Sequence, residues 1–148
     1  ELFWYEVTQY AMAHMSENVV IMGDLNTGIN EIDKTPSGQP FKLSENIRIL
    51  RMDGKYVDVW RYLNPQAREY TWFTKRDGKD LNGFRLDYIW ASSSLRELIR
   101  GAWHVDRVRG RLADGGLSDH AMVVADLAVT PIDAIDGRTR VDDGARGH

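Results

Sequence analysis

The sequence predicts an α+β domain built on a mixed, mostly antiparallel sheet with flanking helices. Three observations predict it. Strand-like apolar runs ("VVIM", "YTWF", "FRLDYIW", "AMVV") are interleaved with segments of helical spacing. A connection such as "KRDGKDLNG" carries Asp77-Gly78, a hairpin signal rather than the long crossover of a parallel sheet. The chain has 148 residues, 43% of them hydrophobic, which is one ordinary domain with enough apolar mass for a core.

Taken in order, Phe3, Val7, Tyr10, Ala11 and His14 recur at helical spacing and place a helix ahead of the first strand. "VVIMGDLN" (19–26) reads as a strand buried on both faces that runs through Gly23 into Asp24 and Asn26. Ser44 is placed to cap a short helix through about Met52, with Ile47 and Leu50 inward and Gly54 as its stop. "KYVDVWRYLNP" fits strand or helix and ends at Asn64-Pro65. "EYTWFT" is strand-like, and "KRDGKDLNG" is a loop. "FRLDYIW" alternates, with Phe84, Leu86, Tyr88 and Trp90 on one face and Arg85, Asp87 and Ile89 on the other. Ser94 and Glu97 form a capping box for a helix ending near Gly101. "AWHVDRV" and "AMVVADLAV" are further strands, and residues 130–148, rich in Asp, Arg and Gly, read as a disordered tail.

Composition excludes some classes. No apolar run approaches the ~18 residues of a membrane span, and no signal-peptide pattern is visible. Zero cysteines exclude disulfides and thiolate metal sites and fit a reducing compartment, and with no signal peptide visible the expected setting is cytoplasmic. The net charge of -3 is uneven: residues 61–111 hold 11 Lys and Arg against 6 Asp and Glu, and both flanks are acidic. Such a basic stretch can serve a polyanion on an otherwise acidic chain; it equally fits a solvated face of mixed charge.

Three acids sit at or on strand-like runs: Asp24 after "VVIMG", Asp87 within "FRLDYIW", and Asp119 before "AMVVADL". Each alone fits a turn, a cap or a pair with a basic neighbour. Together with His120, next to Asp119, they form a set rich in oxygen ligands and free of sulfur, which suits Mg²⁺ or Mn²⁺ rather than zinc. Asp119 and His120 diverge if extended, so one can face a metal while the other reaches a neighbouring strand.

"GDLN", "RLDYIW" and "SDH", in that order, resemble the second half of the endonuclease/exonuclease/phosphatase superfamily over about residues 1–129. The flanking "GDLNTGINEID", "VDVWRYLNP", "YTWF" and "FRLDYIWAS" are most similar to the exonuclease III/apurinic endonuclease branch. The resemblance implies a fold of two sheets packed face to face between helices, of which this chain supplies the C-terminal half. It implies a divalent-metal-dependent phosphodiesterase acting on DNA. Asp24 would handle a proton of the attacking water or leaving oxygen, and Asn26 would orient that group or the phosphate. Asp87 would hold His120, His120 would meet the phosphate as charge develops, and Asp119 would sit at or near the cation. Trp72, Phe84 and Leu86 fall where that branch walls its abasic-sugar pocket, although aromatic strand residues are as often core.

The superfamily's first half, with its metal-binding glutamate, has no counterpart before Glu1, so the chain reads as a piece whose missing half comes from the same protein or a partner chain. Two other functions fit the same residues: a phosphatase or a phospholipid or nucleotide phosphodiesterase of this superfamily, and a non-catalytic nucleic-acid-binding fragment.

Overall fold

A computed structural model describes residues 2–110 and 115–129. At its centre β1 (Val20–Asp24) runs antiparallel to β5 (Asp87–Ala91), whose other edge takes the two-residue strand β2 (Val57–Asp58). β3 (Trp72–Arg76) and β4 (Lys79–Phe84) form a hairpin, and β6 (Ile99–Val105) pairs with β7 (Met122–Leu127). Every pairing between these strands is antiparallel. With helices α1 (Leu2–Ala13), α2 (Glu45–Met52) and α3 (Val59–Leu63) alongside, the expected α+β class is what forms.

The helices cover one side of the central ladder. Trp4, Ile47, Leu50, Tyr56, Tyr88 and Trp90 close over each other there as the main core, each fully buried aliphatic side chain contributing about 1.5–3 kcal/mol. A smaller cluster of Val59, Ala91, Leu95 and Ile99 ties β6 and β7 to the centre. In α1 the buried stripe is Trp4, Thr8 and Ala11, whereas Phe3 and Tyr10 of the expected face are exposed. The helix is turned to bury its largest side chain, the Trp4 indole.

The opposite side of β1 is bare. The strand expected to be buried on both faces buries neither fully: Val20 is exposed, and Met22 is 67% exposed. Four consecutive apolar residues therefore mark a strand with a helix layer on one side and an apolar face on the other, where Met122 is also exposed.

Other local expectations resolve as follows. Ile47 and Leu50 point inward on α2 as expected, but Ser44, itself helical at φ -62, makes no capping bond. "VDVWRYL" is both strand and helix: two residues of β2, then α3, whose first turn is capped by the Asp58 carboxylate accepting from the Arg61 N–H. In "KRDGKDLNG" only Asp77 and Gly78 turn, at φ 51° and 76°, and Lys79 onward is strand β4. "FRLDYIW" is not one strand: β4 ends at Phe84, β5 starts at Asp87, and the bend between them turns Arg85 into the interior. The Ser94–Glu97 capping box does not form. Ser93–Leu98 is a 3₁₀ turn, the Ser94 hydroxyl donates to the Glu17 carbonyl, and β6 follows at once. Among the described residues no helix is long and apolar enough to cross a membrane. The tail, residues 130–148, lies outside the described residues.

Candidate active site

The bend between β4 and β5 sets the position of Asp87. Arg85 is fully buried there, its guanidinium donating to Asp33 Oδ1 at 2.9 Å and to both oxygens of Asp58 at 3.1 and 2.5 Å. Arg61 adds a second bond to Asp33 Oδ1 at 2.6 Å. Burial alone would raise the Asp33 pKa, but Arg85 beside it holds the carboxyl below the usual range. Two cations and two carboxylates thus lock the loop after β1, β2 and α3 to the start of β5.

At that start, the N–H groups of Leu86 and Asp87 both donate to the Thr71 hydroxyl oxygen, at 3.0 and 3.3 Å. The Leu86 carbonyl accepts from the Leu25 N–H at 2.8 Å, and Asp24 and Asp87 are register partners of β1 and β5. Directly opposed residues of an antiparallel pair share a face, so two carboxylates meet at this strand end.

Asn26 departs from the expected geometry. It is not extended: at φ 50° it sits in the left-handed region, and its N–H donates to Asp24 Oδ1 at 2.9 Å. Leu25 between them is buried, while Asp24 and Asn26 stay exposed. Gly23, ahead of them, has φ +140°, a conformation that disfavours any side chain, and the space beside it is open.

His120 reaches this strand end from the segment before β7. Its Nδ1 lies 2.8 Å from Asp87 Oδ2. Partial burial would lower the imidazole pKa, but the hydrogen bond to Asp87, and then the charges of Asp87, Asp24 and Asp119, outweigh it and raise the value above the ordinary one. Asp119 points elsewhere, accepting from the Trp72 indole N–H at 3.2 Å. The two neighbours diverge, as adjacent residues of an extended segment do.

A cleft of about 340 Å³ opens beside His120, with Gly23, Asp87, Ser118 and Met122 in its wall. Trp72, Phe84 and Leu86 do not line it. Phe84 and Leu86 are buried, Phe84 packing edge-on against Phe41. Trp72 is half-buried, its ring 6.4 Å from that of His120. A larger cleft of about 780 Å³ between α2 and α3 shares no lining residue with the first. The smaller one is lined by both Asp87 and His120.

The donor types around His120 are hard carboxylate oxygens, suited to Mg²⁺. Among the described residues, however, no three His, Asp or Glu side chains converge as a metal set. The set present does not by itself fit a bound cation.

No family model matches the sequence. Over 93 residues it is 36% identical to an exodeoxyribonuclease of Bacillus subtilis (strain 168), an alignment taking in 57% of this chain and 37% of that protein. The structure superposes on the 3′ phosphatase NExo from Neisseria, solved bound to a product DNA hairpin, with a TM-score of 0.70, 22% identity, and 84% of this chain on 51% of that one. It superposes likewise on an AP endonuclease from Archaeoglobus fulgidus, with a TM-score of 0.67, 25% identity, and 86% of this chain on 53% of that one. The fold is that of the exonuclease III/apurinic endonuclease branch. The chain spans about half the length of the solved structures it matches, and 37% of the curated relative.

Within that fold the structure adds residues that the sequence did not single out. Arg85, assigned to the same face as Asp87 and Ile89, is the buried hub of the ion network, its partners 27 and 52 residues away. Thr71 lies inside the "YTWF" flank, with no role assigned to it from sequence. The "YT" dipeptide serves as strand propensity and as a landmark for Trp72, and the two N–H groups that the Thr71 hydroxyl accepts lie 15 and 16 residues on.

Proposed function

We propose that this chain carries part of the active site of a divalent-metal-dependent nuclease that hydrolyses DNA phosphodiester bonds. The observation that carries the reading is the Asp87–His120 hydrogen bond at the end of β5, with Asp24 opposite Asp87 in register. An acid–imidazole pair beside a second carboxylate, at an open cleft in a nuclease fold, suits phosphoryl transfer, where the protein mainly positions groups and stabilises charge.

In this reading the water oxygen bonds to phosphorus as the bond to the leaving sugar oxygen breaks. Asp24 either accepts the proton of the attacking water, the leaving oxygen then taking a proton from solvent, or relays a proton to that leaving oxygen. Asn26 orients the phosphate or the water with its exposed amide. Asp87 orients His120 and favours the imidazolium, which faces the charge that develops on the phosphoryl oxygens. The metal dependence rests on the resemblance, and a divalent cation would supply Lewis-acid polarisation there, while Asp24, Asn26 and His120 position the phosphate and handle the proton. Asp119 is the residue that the family resemblance assigns to the cation, and its carboxylate is turned to the Trp72 indole N–H, so the described residues alone hold no cation. Trp72, half-buried with its ring 6.4 Å from that of His120, is the one of the three that could meet a sugar or base, whereas Phe84 and Leu86 are core.

A DNA partner is supported by the β3–β4 hairpin, which holds Lys75, Arg76 and Lys79 exposed on the strands running from Trp72. The Bacillus relative is an exodeoxyribonuclease, and the Neisseria structure holds a DNA hairpin. The name of the Neisseria protein favours one second reading, release of a terminal 3′ phosphate by the same groups.

The test is cleavage of end-labelled duplex DNA, blunt, abasic or 3′-phosphorylated, by the protein with Mg²⁺. Cleavage is expected to stop with EDTA and to fall by about 10² or more in Asp24→Ala and His120→Ala. Full activity in either variant would remove the residue assignment, and activity on the 3′ phosphate alone would select the phosphatase reading.

A further inference from the structure

One buried residue binds the backbone at Asp87 and the backbone next to His120 without belonging to the acid–imidazole pair. Thr71 is fully buried and immediately precedes β3. Its hydroxyl oxygen accepts from the N–H of Leu86 at 3.0 Å and of Asp87 at 3.3 Å, so it holds the backbone from which the Asp87 carboxylate projects. Its carbonyl accepts from the N–H of Ala121 at 2.8 Å, which fixes the peptide unit immediately after His120. Its own N–H donates to the Phe84 carbonyl at 3.0 Å, tying it to the end of β4. Its neighbour Trp72 donates to Asp119, on the other side of His120.

We infer that Thr71 is a positioning residue: through its hydroxyl and carbonyl it sets the relative placement of Asp87 and His120. The chain needs such a part, because no ladder joins the two segments directly at this point. Asp87 begins a strand paired to β1 and β2, while His120 precedes a strand paired to β6. Their side chains meet at 2.8 Å only if these separate ladders are held in register. A hydroxyl that accepts two main-chain N–H groups does this rigidly, since both donors are fixed to the same bend. Small misplacements matter in such a site, where an error of about 1 Å can cost about 10² in rate.

The inference rests on the nuclease reading for its functional meaning but not for its geometry, and two measurements separate them. Thr71→Val keeps the shape and removes the acceptor; Thr71→Ser keeps the acceptor. In the ¹⁵N-labelled 148-residue chain at one alkaline pH, the imidazole nitrogen shifts of His120 report which ring nitrogen carries the proton. The expected result is a dominant Nδ1–H form in the native chain and in Thr71→Ser, and a mixture of both forms in Thr71→Val. In the active protein, Thr71→Val is expected to lower kcat about tenfold or more with KM little changed, and Thr71→Ser to restore it. A folded Thr71→Val chain with the native nitrogen shifts would overturn the proposal. If that variant does not fold, amide hydrogen exchange of the native chain decides. Slow exchange at both Asp87 and Ala121 supports the clamp, and fast exchange at either overturns it. Unchanged shifts with lost cleavage count against Thr71, whereas changed shifts in a protein that cleaves no DNA count against the nuclease reading alone.

Discussion

Asp24 and Asp87 stand opposite one another in the register of β1 and β5, and His120 is hydrogen-bonded to the second of them. Like charges directly opposed across a strand pair are unfavourable, so the acids raise the imidazole pKa and the imidazolium, where formed, relieves that repulsion. Asp87→Asn removes the hydrogen-bonded charge. The His120 pKa should then fall back toward the ordinary imidazole value, read as the midpoint of its ring-proton shifts against pH. An unmoved midpoint would mean the pair is not coupled in solution.

The same coupling has a stability consequence. His120 has a folded pKa raised above the unfolded one. Its contribution is therefore fully present below the unfolded value, about 6.5, and is lost as pH rises through the folded value. Asp87→Asn should cost more stability at about pH 5.5 than at about pH 9. Urea denaturation at the two pH values measures this, and an equal loss at both would contradict it.

His104 behaves in the opposite sense. It is stacked on the Trp60 ring at 4.6 Å with its side chain only 4% exposed. Its Nδ1 is 3.2 Å from Glu69 Oε2, yet neither ring nitrogen has a hydrogen-bond partner among the described residues. Burial lowers its pKa and outweighs the pull of Glu69. The fold therefore resists protonation here, and stability should fall as pH drops below about 6.5 toward the lower folded value. His104→Phe keeps the stack and should flatten that part of the acid limb in a melting-temperature series. An unchanged acid limb would assign the sensitivity to carboxylates such as Asp33.

Arg85 joins Asp33 and Asp58 in the interior. Arg85→Met would leave two carboxylates with their shared cation gone, and removing one partner of a buried ion pair costs about 3–5 kcal/mol. Chemical denaturation should show this loss. Arg85→Lys should recover only part of it, because one ammonium cannot reproduce the forked contact to both acids. A loss of less than about 1 kcal/mol would show that water reaches this network.

The hairpin predicts a salt signature. Neutralising Arg76 and Lys79 together, as Arg76→Gln with Lys79→Gln, should weaken DNA binding and make the log–log salt dependence shallower by about 0.9 per lost phosphate contact. Fluorescence anisotropy on a duplex at several salt concentrations measures it. An unaltered slope would place the DNA elsewhere on the surface.

The motifs "GDLN", "RLDYIW" and "SDH" were legible because each combines local residue type with local spacing, as did α2 through Ile47 and Leu50, and the Asp77-Gly78 turn. Three further features were not. Alternation in "FRLDYIW" hid a strand break, since a buried Arg85 has the same one-letter pattern as an exposed one. The Ser94–Glu97 box was overridden by tertiary contacts of Ser94 with the Glu17 carbonyl. Asn26 turned left-handed instead of continuing the strand, and its N–H is satisfied by Asp24.

By itself the sequence determined the fold class, the order of the strand ends and which acids and imidazole stand at them, because propensity, turn chemistry and motif spacing act over a few residues. Only the tertiary structure decided that Asp24 meets Asp87, that His120 turns to Asp87 while Asp119 turns to Trp72, and that Arg85 and Thr71 hold the frame. Those relationships join residues 15 to 63 positions apart, and their energies arise from burial and hydrogen-bond geometry that exist only once the ladders have closed.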